Sequence, residues 1–457
     1  MRGVGIAGPD ALTQLFTRSA LAADGLFMPN AAIHDWLEQR RRDNDFEVTG
    51  VPFSELTGWR FEPGTGDLRH VSGRFFAIQG LRVRTEIAAW SQPIINQPEI
   101  GLLGIVTKEY GGVLYFLMQA KMEPGYANLL QLAPTVQATR SNGAAVHGGR
   151  KPHYLELFTS QEHVLVDSLQ SEHGAWCLRK RNRNVVVHIP GHVPERDGFC
   201  WLTLGQILRQ LRNDDVVNMN ARSVLSCIPV ASGHNASANG AGCAGLCTTG
   251  RSVRRILHWL ADFRSRKELV QEIIPCDRVE QWRRLPDEIV HVERRRFTVR
   301  GVRVEAASRE IGHWTQPLLC PVDAGLAALV ICRAVGETRL LMQGRVEAGT
   351  IDVAELAPTV QCVPGGDEGP PPRYLGWVLA ASAERIRYDA VQSEEGGRFY
   401  HARSRYMILE ADEEFAAQPP DDYIWVTFGA ATELTGLGYH LNVQARTLIA
   451  ALRSILA

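Results

Sequence analysis

A six-residue word, LAPTVQ, occurs twice in this chain, at residues 132–137 and again at 356–361. The same shift of 224 residues relates their surroundings, because residues 90–137 and 314–361 share 18 identities in 48 ungapped positions. Chance would give roughly three. Solenoid repeats recur every ~20–50 residues, so a period this long indicates two homologous domains. The chain is therefore predicted to contain one folded unit twice.

The duplication also sets the predicted domain boundaries. Matches extend outward from the repeated word, for example from Gln170-Ser-Glu172 to Gln392-Ser-Glu394. Between the copies, residues 231–250 read ASGHNASANGAGCAGLCTTG, a composition typical of a flexible linker. We predict an N-terminal leader over 1–25, either frayed or a short helix, a first repeat over 26–230, a linker over 231–250 and a second repeat over 251–457.

Composition restricts the class of protein. The 457 residues carry 49 Lys+Arg against 50 Asp+Glu, a formal net charge of −1, and 45% of them are hydrophobic. That balance disfavours nucleic-acid binding and is typical of soluble domains with cores. No apolar run predicts a membrane helix, and the N-terminus does not predict a signal peptide. Nine scattered cysteines without a CxxC pair favour reduced thiols in the cytoplasm, and we predict no metal site.

Hydrophobic periodicity predicts an α+β fold for each repeat. Each unit opens with an amphipathic helix, AIHDWLEQRRR at 32–42 and SVRRILHWLADFRSRKELV at 252–270. Apolar segments bounded by Gly or charged residues follow and predict strands, such as VLYFLMQAK at 113–121. A helix from Ala221 or Ala445 closes each unit. This order predicts a mostly antiparallel or mixed sheet flanked by helices.

Several longer phrases carry a resemblance to a known family. They are WSQPI, KMEPG, LAPTVQATRSN, SLQSEHG, KRNRN, WLTLGQ and VNMNAR in the first half, and REIGHWTQPL, AELAPTVQ, QSEEGGRFY and HLNVQAR in the second. Through these phrases the chain resembles the NDP-hexose 2,3-dehydratases of deoxysugar biosynthesis, from about residue 26 to residue 455. No GxGxxG motif opens a helix after a strand and no GxxxxGK[ST] loop is present, which disfavours a dinucleotide or P-loop site.

The resemblance implies two tandem Nudix-like domains, each with a pocket for a dTDP-linked sugar, and a homodimer. It implies that dTDP-4-keto-6-deoxyglucose loses its C2 hydroxyl as water to give a 3,4-diketo-2,6-dideoxy sugar nucleotide, with a downstream 3-ketoreductase as pathway neighbour. The Glu-rich REUxEExGU helix of Nudix hydrolases is missing from both halves, which disfavours metal-dependent pyrophosphate hydrolysis. Two alternatives stay open: a sugar-nucleotide-binding protein without catalysis, and a divergent Nudix-type hydrolase.

The implied reaction sets the chemistry that the site must supply. A base must take the C3 hydrogen, a general acid must protonate the departing C2 hydroxyl, and donors must face the C4 oxygen, where negative charge develops. The diphosphate favours arginine, and thymine favours an aromatic face with an amide-type partner. No cofactor is required, because the C3 carbonyl arises by tautomerisation of an enol.

Acid–base candidates lie at turns beside apolar strands. Each has a structural alternative, which is anchoring of turn amides for the Glu-x-Gly turns and an exposed charged hairpin for QSEEGGRFY. His313 is a candidate because the matching position of the first copy holds Ala89. The catalytic candidates are Glu123, Glu172, His313, Glu347, Glu394, Glu395 and Tyr400. We favour the second half for the chemistry because of His313, Glu394, Glu395 and Tyr400.

Binding candidates are the other polar and aromatic residues of the repeated words and of the family's phrases. Their alternatives are core burial for the tryptophans, satisfied buried backbone for Thr-Val-Gln, and a solvated surface for the basic run. Arg222 and Arg446 could equally be buried links between helix and sheet. The substrate-binding candidates are Trp90, Gln92, Thr135, Gln137, Ser141, Asn142, Ser171, Asn182, Arg183, Asn218, Asn220, Arg222, Arg309, Trp314, Gln316, Thr359, Gln361, Ser393, Gly396, Gly397, Arg398, Asn442 and Arg446.

Overall fold

The computed structural model describes residues 9–139, 151–159, 163–230, 242–306, 311–334, 337–363 and 370–456. Ser141, Asn142 and Arg309 lie outside these residues. The described α-helices are α1 (Pro9–Leu21), α2 (Ala32–Arg42), α3 (Leu204–Gln210), α4 (Met219–Ser226), α5 (Gly242–Ser265), α6 (Leu375–Leu379), α7 (Phe428–Leu437) and α8 (Val443–Leu456). Short 3₁₀ turns are Phe53–Glu55, Leu155–Phe158, Cys276–Arg278 and Ala383–Arg385. Within the described residues, no helix is long and apolar enough to cross a membrane.

The strands follow the same order in both halves. Those of the first half are β1 (Phe46–Val51), β2 (Trp59–Phe61), β3 (Leu68–His70), β4 (Ala77–Thr85), β5 (Ala89–Asn96), β6 (Gly101–Tyr110), β7 (Val113–Met122), β8 (Leu130–Ala133), β9 (Val136–Ala138), β10 (Val164–Ser171), β11 (Arg181–His188) and β12 (Phe199–Thr203). Those of the second half are β13 (Leu269–Ile274), β14 (Trp282–Arg284), β15 (Glu288–His291), β16 (Phe297–Ala306), β17 (His313–Pro321), β18 (Gly325–Ala334), β19 (Glu337–Arg345), β20 (Glu355–Ala357), β21 (Val360–Cys362), β22 (Ile386–Ser393), β23 (Arg403–Glu410) and β24 (Tyr423–Thr427).

Each half builds a seven-stranded mixed sheet from its later strands. In the first half the order is β10-β11-β6-β7-β12, with β8 paired to β7 and β9 to β6. The β6–β11 pair is parallel and the β6–β7 pair antiparallel. The second half repeats the arrangement as β22-β23-β18-β19-β24, again with one parallel pair, β18–β23. The predicted α+β class with a mixed sheet and a duplicated unit is confirmed.

The earlier strands exchange between the halves. The first half's β1 pairs antiparallel with β16 of the second half, from Phe46 opposite Ala306 to Val51 opposite Gly301. In return, β13 of the second half pairs with β4 of the first, from Leu269 opposite Thr85 to Ile274 opposite Gly80. Each five-stranded sheet therefore contains one strand from the other half. The predicted boundaries separate the copies along the chain but not in the fold.

Two glycines admit the exchanged strands. A Cβ at Gly301 would lie 2.7 Å from the carbonyl oxygen of Val51, and a Cβ at Gly80 would lie 2.7 Å from that of Ile274. Both contacts involve backbone, which cannot rotate out of the way as the end of a side chain can. Glycine in a strand interior commonly marks such a close approach of another backbone. The glycines of the matched Gly-x-Arg-Val sequences at 80–83 and 301–304 therefore allow the exchanged strands to pair closely.

Three apolar clusters stabilise the arrangement. One is centred in the first half around Phe116 and Ile207 and also takes in Val302 and Val304 of the exchanged sheet. A second lies in the second half around Met342 and Leu448. A third joins the two halves, with Phe76 beside Phe297 and Phe399 among its members. Burying aromatic side chains contributes strongly to stability because each removes a large apolar area from water. The halves therefore share a core.

Two local predictions need correction. The predicted linker extends to residue 250, but α5 begins at Gly242, because a helix once nucleated propagates readily into an Ala/Leu-containing flank. The pattern predicts the second opening helix through Val270, but it ends at Ser265 and its last predicted residues start β13, where pairing with β4 outweighs helix propensity. In the N-terminal segment the short-helix alternative is the observed one: α1 packs on the first half, with Phe16 fully buried.

We expect Gly301→Ala to lower the free energy of unfolding by about 1–3 kcal/mol, because the added methyl group overpacks the strand exchange. Gly50→Ala is the matched control. Gly50 lies in the exchanged β1 itself, yet a Cβ there has no atom within 4 Å, so the change should stay within about 0.5 kcal/mol. Urea unfolding followed by circular dichroism measures both. Equal effects would mean that the exchanged strand does not approach Gly301 as described.

Candidate active site

A cavity of about 520 Å³ lies between the two halves. The first half lines it with polar side chains that lie in or next to β7, β9 and β11 or in the first turn of α4: Lys121, Glu123, Gln137, Lys180, Asn182 and Asn220. The second half adds residues from β17 and from the segment after β22: His313, Trp314, Gln316, Glu395, Gly397 and Arg398. We call this cavity the composite pocket. The resemblance implied a pocket in each repeat, whereas this one is built from both.

Reciprocal docking of two loops brings the halves together at the pocket. The backbone N–H of Gly125, in the turn after β7, donates to the carbonyl of Gly396 at 2.8 Å, and the N–H of His401 donates to the carbonyl of Gly125 at 2.7 Å. The related turn repeats this, since Gly349 donates to Gly174 at 2.6 Å. A Cβ at Gly125 would lie 1.7 Å from the carbonyl oxygen of Phe399. Glycine is therefore required for the two backbones to meet.

Two carboxylates from different halves face the same space. A Cβ on Gly397 would lie 3.0 Å from Oε2 of Glu123 and 3.7 Å from Oε1 of Glu395. Glu123 is 4% exposed, accepts a hydrogen bond from Nε2 of Gln137 at 3.3 Å and lies 3.7 Å from the Lys121 ammonium. Both carboxylates can therefore reach one small molecule in the composite pocket.

A third carboxylate supports the wall of the pocket. Glu172 is buried, and its Oε1 accepts a hydrogen bond from Nδ2 of Asn182 at 2.8 Å. Burial, which outweighs the opposing charge of Arg446, raises the pKa of Glu172, and the charge of Glu395 raises it further. Burial also lowers the pKa of the Lys180 ammonium, despite the neighbouring charges of Glu395 and Glu172. The pocket thus places acid–base groups near amide and ammonium donors.

Asn220 is the clearest sign that the pocket receives a polar ligand. It is 1% exposed, and neither Nδ2 nor Oδ1 has a hydrogen-bond partner among the described residues. A buried amide without partners costs free energy, so such a group usually serves a ligand or water. Asn220 also lines the composite pocket.

Aromatic rings line the opposite part of the pocket. Trp59 and Phe76 pack with ring centroids 4.9 Å apart, and the Arg398 guanidinium lies 4.5 Å from the Phe76 centroid. The Trp314 indole donates to Oε1 of Gln316 at 2.8 Å, and Nε2 of Gln316 donates to the carbonyl of Gly397 at 2.9 Å. Trp314 and Gln316 thus line the cavity and also hold the loop that carries Glu395 and Arg398.

A model of the NDP-hexose 2,3-dehydratase family matches residues 30–228 and again residues 253–452. The chain belongs to this family. It is 45% identical to a dTDP-4-dehydro-6-deoxy-alpha-D-glucopyranose 2,3-dehydratase of Saccharopolyspora spinosa, over 97% of this chain and 96% of that relative. Proteins of the same name from Amycolatopsis orientalis and Streptomyces violaceoruber are each 44% identical, over 96% and 93% of this chain and 93% and 97% of the relatives. The family resemblance is thereby confirmed.

The duplicated 2,3-dehydratase unit also contains the matching cluster around Glu347, Gln361 and Trp90, which we call the second site. Glu347 lies outside the composite pocket, paired with the Arg345 guanidinium at 3.1 Å and with Nε2 of Gln361 at 2.9 Å. Here Trp90 donates to Gln92, whose amide donates to the carbonyl of Ala175 at 2.8 Å. The positions of Glu395, Arg398 and Lys180 are taken by His173, Trp176 and Ala402. The second site thus lacks the charges that distinguish the composite pocket.

The predicted diphosphate ligands Arg222 and Arg446 are structural instead. Both are fully buried. Arg222 donates to the carbonyl of Ser393 at 2.7 Å, and Arg446 donates to the carbonyl of Ser171 at 2.6 Å. Each guanidinium therefore crosses to the other half and holds the backbone just before a Glu of the Gln-Ser-Glu word. The alternative of a buried polar link was the correct one.

Several other binding candidates also serve the fold. Thr135 accepts from the N–H of Val106 and Thr359 from that of Val330, so both satisfy buried backbone. Arg183 forms a partly exposed ion pair with Asp167.

The serine and asparagine candidates bond across or within the fold as well. The Ser171 hydroxyl donates to Glu355 and the Ser393 hydroxyl to Asp215. Asn218 and Asn442 cap the starts of α4 and α8 through the N–H groups of Ala221 and Ala445. None of these side chains lines the composite pocket as described.

Three residues of QSEEGGRFY are likewise placed outside the pocket lining. Glu394 is 2% exposed and accepts from the hydroxyls of Ser404 and Tyr406 at 2.7 and 2.9 Å. Gly396 is buried in the docking contact with Gly125. Tyr400 stacks on His401, with centroids 4.0 Å apart. The composite pocket combines His313 and Glu395 of the favoured second half with Glu123 of the first half.

Some lining residues were missed in the sequence. Lys121 and Lys180 stand inside the quoted words KMEPG and RKRNRN, and Trp59 stands in a matched pair with Trp282. The signal for Lys180 was its asymmetry, since the matching residue of the second copy is Ala402. Among the described residues, no group of three or more His, Cys, Asp or Glu side chains is arranged to hold a metal ion.

We expect Arg222→Met to lower the free energy of unfolding by about 3 kcal/mol or more, because the carbonyls of Val217 and Ser393 lose their donors. Arg183→Met is the matched control and should cost at most about 1 kcal/mol, since its ion pair is partly exposed. Urea unfolding monitors both. If Arg222→Met hardly changes the free energy of unfolding but weakens dTDP binding, Arg222 would be a ligand-binding residue after all.

Proposed function

We propose that this chain removes the C2 hydroxyl of dTDP-4-keto-6-deoxy-D-glucose as water and forms dTDP-3,4-diketo-2,6-dideoxy-D-glucose in the biosynthesis of an antibiotic deoxysugar. The composite pocket carries the proposal, because it joins two facing carboxylates to amide, ammonium and guanidinium donors and to aromatic rings. The names of the relatives support the substrate and the reaction.

The two carboxylates divide the proton transfers. Glu123 acts as the base that takes the C3 hydrogen, and the electron pair of the C–H bond moves toward the C4 carbonyl to give an enolate. Glu395 acts as the general acid that gives a proton to the C2 hydroxyl, which leaves as water while the C2–C3 double bond forms. The resulting C3 enol takes a proton at C2 and becomes the ketone. Two groups in one pocket with opposite proton duties are the usual arrangement for such an elimination.

Donors around the carboxylates stabilise the enolate. Lys180 and Asn182 lie on the wall beside Glu395, and Asn220 has a buried amide without a partner among the described residues. Preorganised donors of this kind contribute most when they face the atom where charge develops. His313 lines the pocket with an exposed side chain.

Arg398 and the aromatic rings bind the nucleotide. The Arg398 guanidinium, held by Gln97 at 3.1 Å, supplies the planar donor that suits a diphosphate. Trp59, Phe76 and Trp314 offer ring faces for thymine.

The wider predictions belong to the same proposal. A Nudix-like fold for each half is supported by the mixed sheet with its closing helix, and a homodimer by the family resemblance. A cytoplasmic location is supported by the cysteines, since the seven in the described side chains are free thiols. A downstream 3-ketoreductase would consume the diketone product.

Purified protein mixed with dTDP-4-keto-6-deoxyglucose in deuterated buffer with EDTA tests the proposal. Mass spectrometry should show loss of water and incorporation of deuterium at C2, with the diketone trapped by an NADPH-dependent 3-ketoreductase. Binding of dTDP without water loss would favour the non-catalytic alternative. Release of dTMP that requires Mg²⁺ would favour the hydrolase.

The duplicated glutamates form a matched pair for the base. We expect Glu123→Gln to lower kcat by about 100-fold or more, because the amide cannot accept the C3 proton. Glu347→Gln changes the related residue, which is paired with Arg345 outside the composite pocket, and should leave most of kcat. Steady-state kinetics with the trapped product measures both. A larger loss at Glu347 would place the chemistry in the second site.

A further inference from the structure

His173 occupies the position that Glu395 holds in the other half. The words Gln170-Ser-Glu172-His173 and Gln392-Ser-Glu394-Glu395 align without gaps at a shift of 222. Glu395 lines the composite pocket, whereas His173 does not. The duplicated position therefore carries a carboxylate where the proposed reaction occurs and an imidazole on the other side of the interface.

The imidazole of His173 is enclosed by groups from both halves. It is 3% exposed, and its Nε2 lies 3.2 Å from Oε2 of Glu394. Its ring stacks on Trp176 with centroids 5.2 Å apart and meets the edge of Phe399 at 5.0 Å. Its Nδ1 lies 3.2 Å from Nε2 of Gln444.

These contacts grip both ends of one short segment. Residues 394–399, which we call the acidic segment, begin with Glu394 and end with Phe399, and His173 touches both. Between them lie Glu395 and Arg398, which line the composite pocket. His173 does not line the pocket, but it contacts the segment that supplies two of the pocket's charged groups.

The surroundings of His173 suit a charged imidazolium, which has two N–H donors. One faces the Glu394 carboxylate. The other faces the Gln444 amide, whose Oε1 is buried without a partner among the described residues. Rotating the Gln444 amide group by about 180° exchanges its oxygen and nitrogen and places the oxygen next to Nδ1 of His173. A neutral imidazole has only one N–H group and could donate to only one of these two acceptors.

We propose that the His173–Glu394 ion pair is a positioning device for the reaction proposed above. It holds the acidic segment so that Glu395 and Arg398 face the substrate across from Glu123. The inference rests on the proposed function and deepens it, since His173 itself touches neither substrate nor reacting atoms.

The charges around His173 give the device a pH dependence. Glu394, Glu172 and Glu347 are the charged groups that face it. Burial alone would lower the pKa of His173, but Glu394 first and then the other two carboxylates raise it above the ordinary value of about 6.5. Burial would likewise raise the pKa of Glu394, but the charge and hydrogen bond of His173, with the Arg222 charge and the Ser404 hydroxyl, together outweigh burial and lower that pKa. The His173–Glu394 ion pair is therefore fully formed at pH values below the ordinary histidine pKa. It is lost as the pH rises through the raised pKa of His173 in the folded protein.

Three variants test the proposal by kinetics across pH. His173→Ala removes both contacts and should lower kcat at least tenfold at neutral pH, with a smaller change in KM. His173→Gln can still donate to Glu394 but does not titrate. Its kcat should therefore be higher than that of His173→Ala, and it should not decrease at alkaline pH as the kcat of the wild type does. His401→Asn is the control, since His401 is exposed and its ring contacts Tyr400 instead of the pocket.

Thermal unfolding and dTDP calorimetry separate the outcomes. If His173→Ala unfolds, His173→Gln and the wild-type pH profile still decide. Equal kcat and the same alkaline limb in wild type and His173→Gln would overturn the proposal. A wild type without any water loss would instead overturn the proposed function, and positioning would then be judged by whether dTDP affinity falls with rising pH in wild type but not in His173→Gln.

Discussion

The two halves of this chain are held together by groups that reach across to one another's backbone. Arg222 binds the carbonyl of Ser393, and Arg446 binds the carbonyl of Ser171. A fully buried guanidinium needs acceptors for its donors, and these carbonyls belong to the other half in each case. Each half therefore completes its own hydrogen bonding only in the presence of the other. The strand exchange and the docking of Gly125 on Gly396 depend on that arrangement.

The composite pocket follows from this crossing. Glu123 stands at the end of its own half's sheet, but the wall opposite is supplied by a segment that the other half delivers. Duplication of the unit produced two such junctions. At one of them Glu395, Arg398 and Lys180 supply charge, and at the other His173, Trp176 and Ala402 stand in their places. Divergence at a few positions is enough to give one junction the charged groups of the proposed acid–base chemistry and the other a buried ion pair.

The family, the duplication and the α+β class were readable from residues, because repeated words and apolar periods are local properties. So was part of the pocket: Glu123, Asn182, His313 and Glu395 stand in words that were singled out, and they line it. Others were misjudged for a physical reason. Arg222 and Thr135 look like ligand groups in sequence, but burial turned their donors and acceptors toward the backbone. Lys180 was missed because a basic run reads as solvated surface until its burial is known.

The order of residues alone establishes that one unit is present twice, which residue types each copy keeps, and which positions differ between the copies. The exchange of β1 and β13, and a cavity lined by both halves, become visible only in the folded chain. The reason is that the same strand and loop residues could pair with partners in their own copy or with the equivalent partners in the other copy. The choice depends on which backbones can approach closely, as at Gly80, Gly301 and Gly125, and that is a property of the whole fold.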